Sequence, residues 1–277
     1  MRALAALLAA PLLPACSDAG DAVPELRADL GTDLGADLGV DASTPEDAGP
    51  PDASGDAGPA WASGGTSAMT DAVSYPNPFA LPAGSSCALT LATTLGPCFY
   101  TSPVRQDVSE GYPGLPMRLV FRILDSACNP LVGARLDIWH TGNTGRYSGG
   151  PIPFCTGGDA DAIAHLYFRG SQVSGADGLV SFDTCFPGAY SGRALHIHLQ
   201  VFPSGAATAS VVSQVFFAQP LIDQIFASHP DYVPHGLPDT PNADDGIYLG
   251  VGPAAVVDYE RMSDGAMLAW KEIVFVG

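Results

Sequence analysis

Short runs of β-branched and aromatic residues, separated by turn-forming residues, recur from Trp61 onward and limit the possible folds more than any other feature. Glycine, proline and aspartate dominate the segments between the runs, and helical periodicity is almost absent. This pattern is typical of a β-sandwich rather than an α/β fold. We therefore predict an all-β fold, a β-sandwich core with long loops. The seven predicted strands are 117–125, 134–140, 165–173, 179–186, 194–202, 211–217 and 271–276.

Three connecting segments have patterns of their own. The sequence Ala176-Asp177-Gly178 predicts a hairpin between the strands on either side, because glycine tolerates the positive φ of tight turns. Residues 220–227 predict a short helix. The density of Pro, Asp, Asn and Gly over 229–245 predicts a long surface loop.

The N-terminus predicts export. Residues 1–15 (MRALAALLAAPLLPA) combine one arginine with an apolar run too short to span a bilayer, which is typical of a signal peptide. Cys16 follows Leu-Pro-Ala and resembles the lipobox cysteine of bacterial lipoproteins, which is lipidated and becomes the new N-terminus. We therefore predict a cell-envelope protein anchored to the membrane through a lipid at Cys16. The alternative is an ordinary secreted protein with a cysteine there by chance.

The next segment is acidic and unlike a folded domain. Residues 17–59 contain no aromatic residue, and eleven Asp and Glu against Arg27 alone give them −10 of the net charge of −18. Such a composition buries too little apolar surface to offset the entropy of ordering. We predict that residues 16–60 comprise the lipidated cysteine and a disordered acidic linker, and that residues 61–277 form one domain. No basic patch is present, which argues against a nucleic-acid partner.

The cysteines fit an exported protein. Five follow Cys16, and in an oxidising compartment pairs of them can persist as disulfides. An odd number predicts two bridges and one free thiol, and the sequence leaves the pairing open. None has the C-x-x-C spacing of a zinc or redox site. The five are Cys87, Cys98, Cys128, Cys155 and Cys185.

The strand at 194–202 contains the pair His196 and His198. Side chains alternate between the faces of a strand, so both imidazoles point to the same face and could bind a metal ion. The alternative is two half-buried histidines that are bonded to neighbours. Tyr190 lies in the turn before this strand, and Tyr147 lies in the glycine-rich loop 142–150. Tyr147 could also simply cap an edge of the sandwich.

Several segments resemble one family in order and spacing. DIWHTGNTGRYSG (137–149), FRGSQVSGADGLVSF (168–182) and PGAYSGRALHIH (187–198) are similar to the DIWH…GxYS, RGxQ…DADG, PGxY and RxxHxH motifs of the intradiol ring-cleavage dioxygenases. The upstream segments GPCFY (96–100) and VRQDVSEGYPGLPMRL (104–119) also resemble that family, and the similarity covers most of 87–217. The chain resembles the small, secreted, single-core branch, because a linker occupies the place of the helical N-terminal domain of other members.

The resemblance implies a metal site and a reaction. The Fe(III) ligands would be Tyr147, Tyr190, His196 and His198, and hard phenolate oxygens suit ferric iron. The phenols ionise near pH 10 when free, so the metal must stabilise the tyrosinates. The reaction implied is cleavage of a catechol by O2 to a muconate-type diacid.

The resemblance also implies roles for individual residues. Arg193 would bind the substrate and stabilise negative charge on its ring, although it could instead be a surface arginine. Gln214 would line the substrate pocket. Tyr190 would leave the metal when substrate binds and accept a proton. His140, His165, His229 and His235 match no ligand position and would be structural. Of these, His140 would lie closest to the ligands, because it ends the strand that leads into the Tyr147 loop.

Two other functions remain open at this stage. A cupin-type site also uses H-x-H on a strand, but it needs an acidic ligand a few residues later, and 199–205 (LQVFPSG) has none. A non-catalytic sandwich that binds aromatics or a surface partner would keep the fold without the reaction. The substrate could be catechol, hydroxyquinol, protocatechuate or a plant-derived phenol.

Overall fold

The computed structural model describes residues 60–80 and 87–276. The signal peptide predicted for 1–15, the lipidation of Cys16 and nearly all of the linker predicted for 16–60 lie outside these residues. No helix within the described ranges is long and apolar enough to cross a membrane.

Two four-stranded sheets form the predicted β-sandwich. The first sheet has the order β4-β1-β8-β7, in which β1 runs parallel to β8 and antiparallel to β4. The second sheet has the order β3-β2-β5-β6, and its neighbours are all antiparallel. The strands are β1 (Pro116–Asp125), β2 (Arg135–Trp139), β3 (Arg169–Val173), β4 (Leu179–Cys185), β5 (His196–Phe202), β6 (Val211–Phe216), β7 (Asp258–Arg261) and β8 (Met267–Phe275).

All seven predicted strands are present, and β7 is an addition. Its sequence DYER is polar and largely exposed, and it pairs only with β8 at the edge of the first sheet. An edge strand of this kind buries neither face, so it lacks the alternation from which strands are predicted. Strand β8 also begins earlier than predicted, at Met267.

The predicted hairpin at Ala176-Asp177-Gly178 is wrong. Strand β3 belongs to the second sheet and β4 to the first, so this turn connects the two sheets. Gly178 has a φ of 74°, and a Cβ there would lie 2.6 Å from the carbonyl oxygen of Ile123. The glycine is required, but what it permits is close packing of the turn against β1.

Four α-helices lie in the loops: α1 (Pro153–Thr156), α2 (Ala160–Ala164), α3 (Gln219–Ser228) and α4 (Gly246–Val251). Helix α3 confirms the helix predicted at 220–227. The others span six residues or fewer, too short for helical periodicity to appear in the sequence. Helices α2 and α4 begin at aspartates, Asp159 and Asp245, whose side chains accept backbone N–H groups of the first turn.

The core lies between the sheets, and strand alternation sets what faces it. On β5, Ile197, Leu199 and Val201 join the apolar core cluster. Because side chains alternate along a strand, His196 and His198 point away from this core, to the outer face of the second sheet. Loops cover that face, so both histidines are nonetheless buried.

The cysteines pair as two disulfides, Cys87–Cys128 and Cys98–Cys155. Cys185 is the free thiol among residues 60–80 and 87–276, and it is buried. The predicted count of two bridges and one free thiol is confirmed for these ranges. Disulfides of this kind persist in oxidising compartments and indicate an extracellular protein.

Candidate metal centre

The histidine pair lies in the middle of the outer face of the second sheet. Strand register places His198 opposite Trp139 of β2 on one side and Gln214 of β6 on the other. The Trp139 indole stacks on the His198 ring, with centroids 4.9 Å apart and planes inclined by 6°. A Cβ at Gly96 would lie 3.0 Å from His198 Cε1. The stacked indole and the close backbone of Gly96 restrict the orientation of this imidazole.

The two predicted tyrosines reach the histidines from separate loops. Tyr147 comes from the loop between β2 and α1, and Tyr190 comes from the turn that precedes β5. The Tyr147 and Tyr190 hydroxyls lie 3.4 and 3.3 Å from His196 Nε2, and His198 Nε2 lies 3.1 Å from the same atom. The structure thus brings together the four side chains that the sequence proposed as ligands.

Hydrogen bonding sets the tautomer of His196. Its Nδ1 lies 2.6 Å from the carbonyl oxygen of Ala194, which can only accept, so Nδ1 carries the proton and Nε2 presents a lone pair. His198 Nδ1 is buried and has no hydrogen-bond partner among residues 60–80 and 87–276. Burial lowers the pKa of His196 to about 3 and that of His198 well below its usual value. Both imidazoles are therefore neutral at physiological pH, which is the form that binds metal ions.

Both tyrosines are protonated when no metal ion is bound. Burial raises the pKa of Tyr147 well above its usual value, and the neighbouring Tyr190 adds to this. Burial also raises the pKa of Tyr190, against the opposing charge of Arg193. A bound cation would have to displace both phenol protons, which highly charged ions do readily.

This donor set fits a ferric ion. Around a metal with bonds of about 2.1 Å, adjacent ligand atoms lie about 3.0 to 3.6 Å apart, and the separations from His196 Nε2 are 3.1 to 3.4 Å. Phenol oxygens are hard ligands that favour Fe(III), and imidazole nitrogens also suit iron. The atoms next to the histidine pair are thus phenol oxygens, whereas a cupin-type site needs a carboxylate.

Beside these four groups lie the two residues expected to meet a substrate. Arg193 Nη2 donates to Gln214 Oε1 at 2.5 Å, and Arg193 Nε donates to Asp245 Oδ2 at 2.7 Å. The Arg193 side chain is partly exposed. The arginine is not a free surface residue, because two hydrogen bonds fix its orientation.

Asp245 is a site residue that sequence reasoning missed. It ends the segment 229–245, predicted as a surface loop, yet it is only 1% exposed. Its Oδ2 also accepts the Ala194 N–H, and its Oδ1 accepts the N–H groups of Ile247 and Tyr248 at the start of α4. These hydrogen bonds outweigh burial and lower the pKa of Asp245. An aspartate before a short helix was a weak signal, since many such aspartates only cap helices.

Arg169 is a second residue that was missed, although it belongs to the RG motif at 169–170. It is fully buried, and it donates to the carbonyl oxygens of Ser148 and Cys98. His140, expected to be structural, bonds Thr184 Oγ1 and the Thr141 carbonyl, at 2.7 and 2.9 Å.

Known proteins resemble this chain in sequence and in fold. A family model described as Dioxygenase matches residues 97–233. A chlorocatechol 1,2-dioxygenase from Rhodococcus opacus is 28% identical over 144 residues, which cover 44% of this chain and 50% of that protein. The chain thus matches about half the length of this relative.

Two solved structures share the fold. An intradiol ring-cleavage dioxygenase from Tetranychus urticae is 24% identical, with a TM-score of 0.60 over 69% of this chain and 95% of that one. The dioxygenase domain of a dioxygenase carbohydrate-binding protein fusion from Streptomyces sp. SirexAA-E is also 24% identical, with a TM-score of 0.50. That match covers 68% of this chain and 99% of the Streptomyces domain.

Proposed function

The chain belongs to the intradiol ring-cleavage dioxygenase family, and we propose that it uses Fe(III) to cleave a catechol with O2 to a muconate-type diacid. One observation carries the proposal. Four donor atoms converge, because the Tyr147 and Tyr190 hydroxyls and His198 Nε2 all lie 3.1 to 3.4 Å from His196 Nε2. We propose these four residues as the ligands.

The protein groups divide the remaining tasks. Bound Fe(III) would supply Lewis-acid activation and a template for the two catechol oxygens. Tyr190 lies on a partly exposed turn, so this side chain, held as a tyrosinate by the bound ion, could move away and accept a catechol proton at Oη when the substrate binds. Tyr147 is buried and remains in place.

Arg193 and Gln214 would act on the substrate. The Arg193 guanidinium is held by Asp245 and Gln214, so its charge is fixed before negative charge develops on the ring. A preorganised cation stabilises such charge more effectively than one that must reorient. Gln214 Oε1 accepts from Arg193, and its Nε2 contacts the Thr94 carbonyl at 3.5 Å, which orients this amide beside the proposed iron.

Visible absorption of the iron-loaded protein tests the metal site. Purified protein loaded with iron in air should show a broad tyrosinate-to-Fe(III) charge-transfer band and a red-brown colour. Tyr147→Phe and Tyr190→Phe should each weaken the band and lower iron affinity, because each removes one phenolate ligand. Tyr259→Phe, which changes an exposed tyrosine, should leave both unchanged. A protein that stays colourless under these conditions would refute the proposed centre.

Oxygen consumption tests the reaction and its substrate. Catechol, hydroxyquinol, protocatechuate and plant-derived phenols are the substrates to compare, with the diacid product identified by mass spectrometry. A protein with the charge-transfer band that consumes no O2 with any of them would instead favour the non-catalytic binding module.

We propose in addition that the protein is exported as a lipoprotein with a single domain over 61–277. Two disulfides support export. The boundary is supported by Trp61, which packs against the core, and by the Ala62 N–H, which donates to the Gly265 carbonyl at 2.8 Å. Mass spectrometry of the mature N-terminus would test lipidation, since an unmodified Cys16 or another cleavage site would contradict the anchor.

A further inference from the structure

We propose that Arg169 is a positioning residue for Tyr147. It would hold the loop that carries this ligand so that the phenol oxygen meets the histidine pair. This inference rests on the proposed function, because it concerns how a ligand of the proposed iron centre is held. Arg169 lies at the start of β3 and pairs with Trp139 of β2, which in turn pairs with His198. Paired residues share a face, so all three side chains lie on the outer face of the second sheet.

The guanidinium binds the chain immediately after Tyr147. Arg169 Nε and Nη2 both donate to the carbonyl oxygen of Ser148, at 2.8 and 2.5 Å, and Nε also contacts Ser148 Oγ at 3.2 Å. A planar fork that holds one carbonyl with two N–H groups fixes direction as well as distance. The guanidinium carbon lies 6.0 Å from the centre of the Tyr147 ring. Arg169 therefore sets the backbone of the ligand loop within one residue of the ligand.

The same side chain connects Tyr147 to a disulfide. Arg169 Nη2 donates to the Cys98 carbonyl at 2.8 Å, and Cys98 is bonded to Cys155. The Cys155 carbonyl in turn accepts the N–H of Tyr147 at 2.9 Å. These contacts form a closed ring of hydrogen bonds and one covalent bond around Tyr147. Within that ring, the Arg169 side chain hydrogen-bonds both Ser148, next to Tyr147, and Cys98 of the disulfide.

The chain also makes room for this arginine. Gly149 has a φ of 79°, and a Cβ there would lie 3.3 Å from Arg169 Nε and 2.8 Å from Tyr100 Cδ1. Any larger residue would therefore press on the guanidinium and on the Tyr100 ring. Glycine at this position permits the close approach that the two hydrogen bonds to Ser148 require.

The energetic cost of Arg169 indicates more than a packing role. The side chain is fully buried, its hydrogen-bond acceptors are neutral oxygens, and its Nη1 has no partner in the described part of the chain. Burying a charge without an acid partner is costly, and an apolar residue of similar size often serves a fold as well. The hydrogen bonds made at this cost go to Ser148, next to Tyr147, and to Cys98, whose disulfide partner Cys155 accepts the Tyr147 N–H. The cost is thus explained if Arg169 holds the ligand loop.

A double-mutant cycle tests the proposal in the iron-loaded full-length protein. Arg169→Met should lower iron affinity by about 10-fold to 100-fold and shift the charge-transfer band. Arg169→Lys should not restore either property, because one ammonium cannot bridge the same oxygens in a fixed plane. In a Tyr147→Phe background, Arg169→Met should leave the band of the remaining tyrosinate unchanged. Arg135→Met, which changes a partly exposed arginine stacked on Phe202, is the control.

Hydrogen exchange of the iron-free protein gives a readout that does not depend on the metal. Peptides covering 146–150 should exchange faster in Arg169→Met and Arg169→Lys than in wild type, and Arg135→Met should match wild type. If the wild type bound no iron, the proposed function would fail while this measurement still decided the role of Arg169. If Arg169→Met did not fold, as judged by near-ultraviolet circular dichroism, the milder Arg169→Lys would provide both readouts.

Three results would overturn the proposal. The first is wild-type exchange over 146–150 in the arginine variants. The second is full recovery of the wild-type band and affinity in Arg169→Lys. The third is an equal spectral shift from Arg169→Met with and without Tyr147, since that would show a general effect on the site rather than an effect on this ligand.

Discussion

The loops that hold Tyr147 and Tyr190 differ in how firmly they are fixed. Tyr147 is 2% exposed, its own N–H bonds the Cys155 carbonyl, and the carbonyl of the next residue is held by Arg169. The Cys98–Cys155 disulfide fastens the surrounding chain. These contacts make the Tyr147 loop a rigid support.

The Tyr190 turn has weaker restraints. Tyr190 is partly exposed, and the following residues Ser191 and Gly192 lie at the surface. The hydrogen bond from the Gly192 N–H goes to the exposed side chain of Asp239, at 3.2 Å. The comparison teaches that two ligands of one type can have different freedom, which suits a centre where one tyrosine stays and the other gives way to substrate.

Removing the disulfides should give the largest effect and would separate support of the ligand from general stability. Cys98→Ser with Cys155→Ser, and Cys87→Ser with Cys128→Ser, should each lower the free energy of unfolding by about 4 kcal/mol, because each frees a long loop in the unfolded state. Only the first pair should also lower iron affinity, since only it borders Tyr147. Chemical denaturation and iron titration measure the two quantities. Equal iron affinity in both variants would remove the distinction between the loops.

A substitution on the Tyr190 side should affect turnover rather than metal binding. Asp245→Asn should lower kcat/KM by up to about 100-fold, because a small displacement of a catalytic group is enough for such a loss. Asp245 contacts Arg193 and the Ala194 N–H, and the charge-transfer band and iron content should stay near wild type. Asp223→Asn on α3 is the control, as its exposed carboxylate accepts from the Gln219 amide. Loss of iron from Asp245→Asn would show that this region also supports the metal.

The third prediction concerns the pH dependence of stability and has the smallest expected effect for a single substitution. Burial lowers the pKa of His140 to about 4 and that of His196 to about 3. Their unfolded value is about 6.5, so as the pH falls below it the unfolded chain binds protons that the folded protein does not. The free energy of unfolding of the iron-free protein therefore has its full value above about pH 6.5. It decreases toward pH 4, by up to about 1.4 kcal/mol per pH unit for each histidine.

Denaturation of the iron-free protein at pH 7 and pH 5 measures this loss. His140 directly follows β2, where the chain leads into the Tyr147 loop, and residues 187–195 around Tyr190 contain no histidine. His140→Asn should therefore reduce the difference in unfolding free energy between pH 7 and pH 5 by the amount that one buried histidine contributes. His165→Asn, which changes an exposed residue, is the control. A pH dependence that His140→Asn leaves unchanged would assign the acid sensitivity to other groups.

The parts of the fold that could be predicted are those with a local cause. Runs of β-branched and aromatic residues located seven strands, and the turn residues separated them. The same period of two placed His196 and His198 on one face. Strand β7 could not be found in this way, because it is a polar edge strand with four residues.

The parts that could not be predicted depend on contacts between distant residues. The sequence at 176–178 marks a turn, but whether its strands pair or separate depends on which sheet each one joins. Asp245 lies 52 residues after Arg193, and its burial follows from how the segment 229–245 folds back over the site. The disulfide pairing was equally open, since it requires the two sulfur atoms to be brought together by the fold.

By itself, the sequence determined the β-sandwich class, the phenol and imidazole groups available as ligands, and the number of disulfides, because composition, short-range periodicity and counting establish these. Only the tertiary structure decided that the donor atoms of Tyr147, Tyr190 and His198 lie 3.1 to 3.4 Å from one nitrogen, that Arg169 bonds the Tyr147 loop, and that Asp245 bonds Arg193. The physical reason is that a metal site depends on distances between atoms, and those distances follow from the packing of residues that are far apart in the chain.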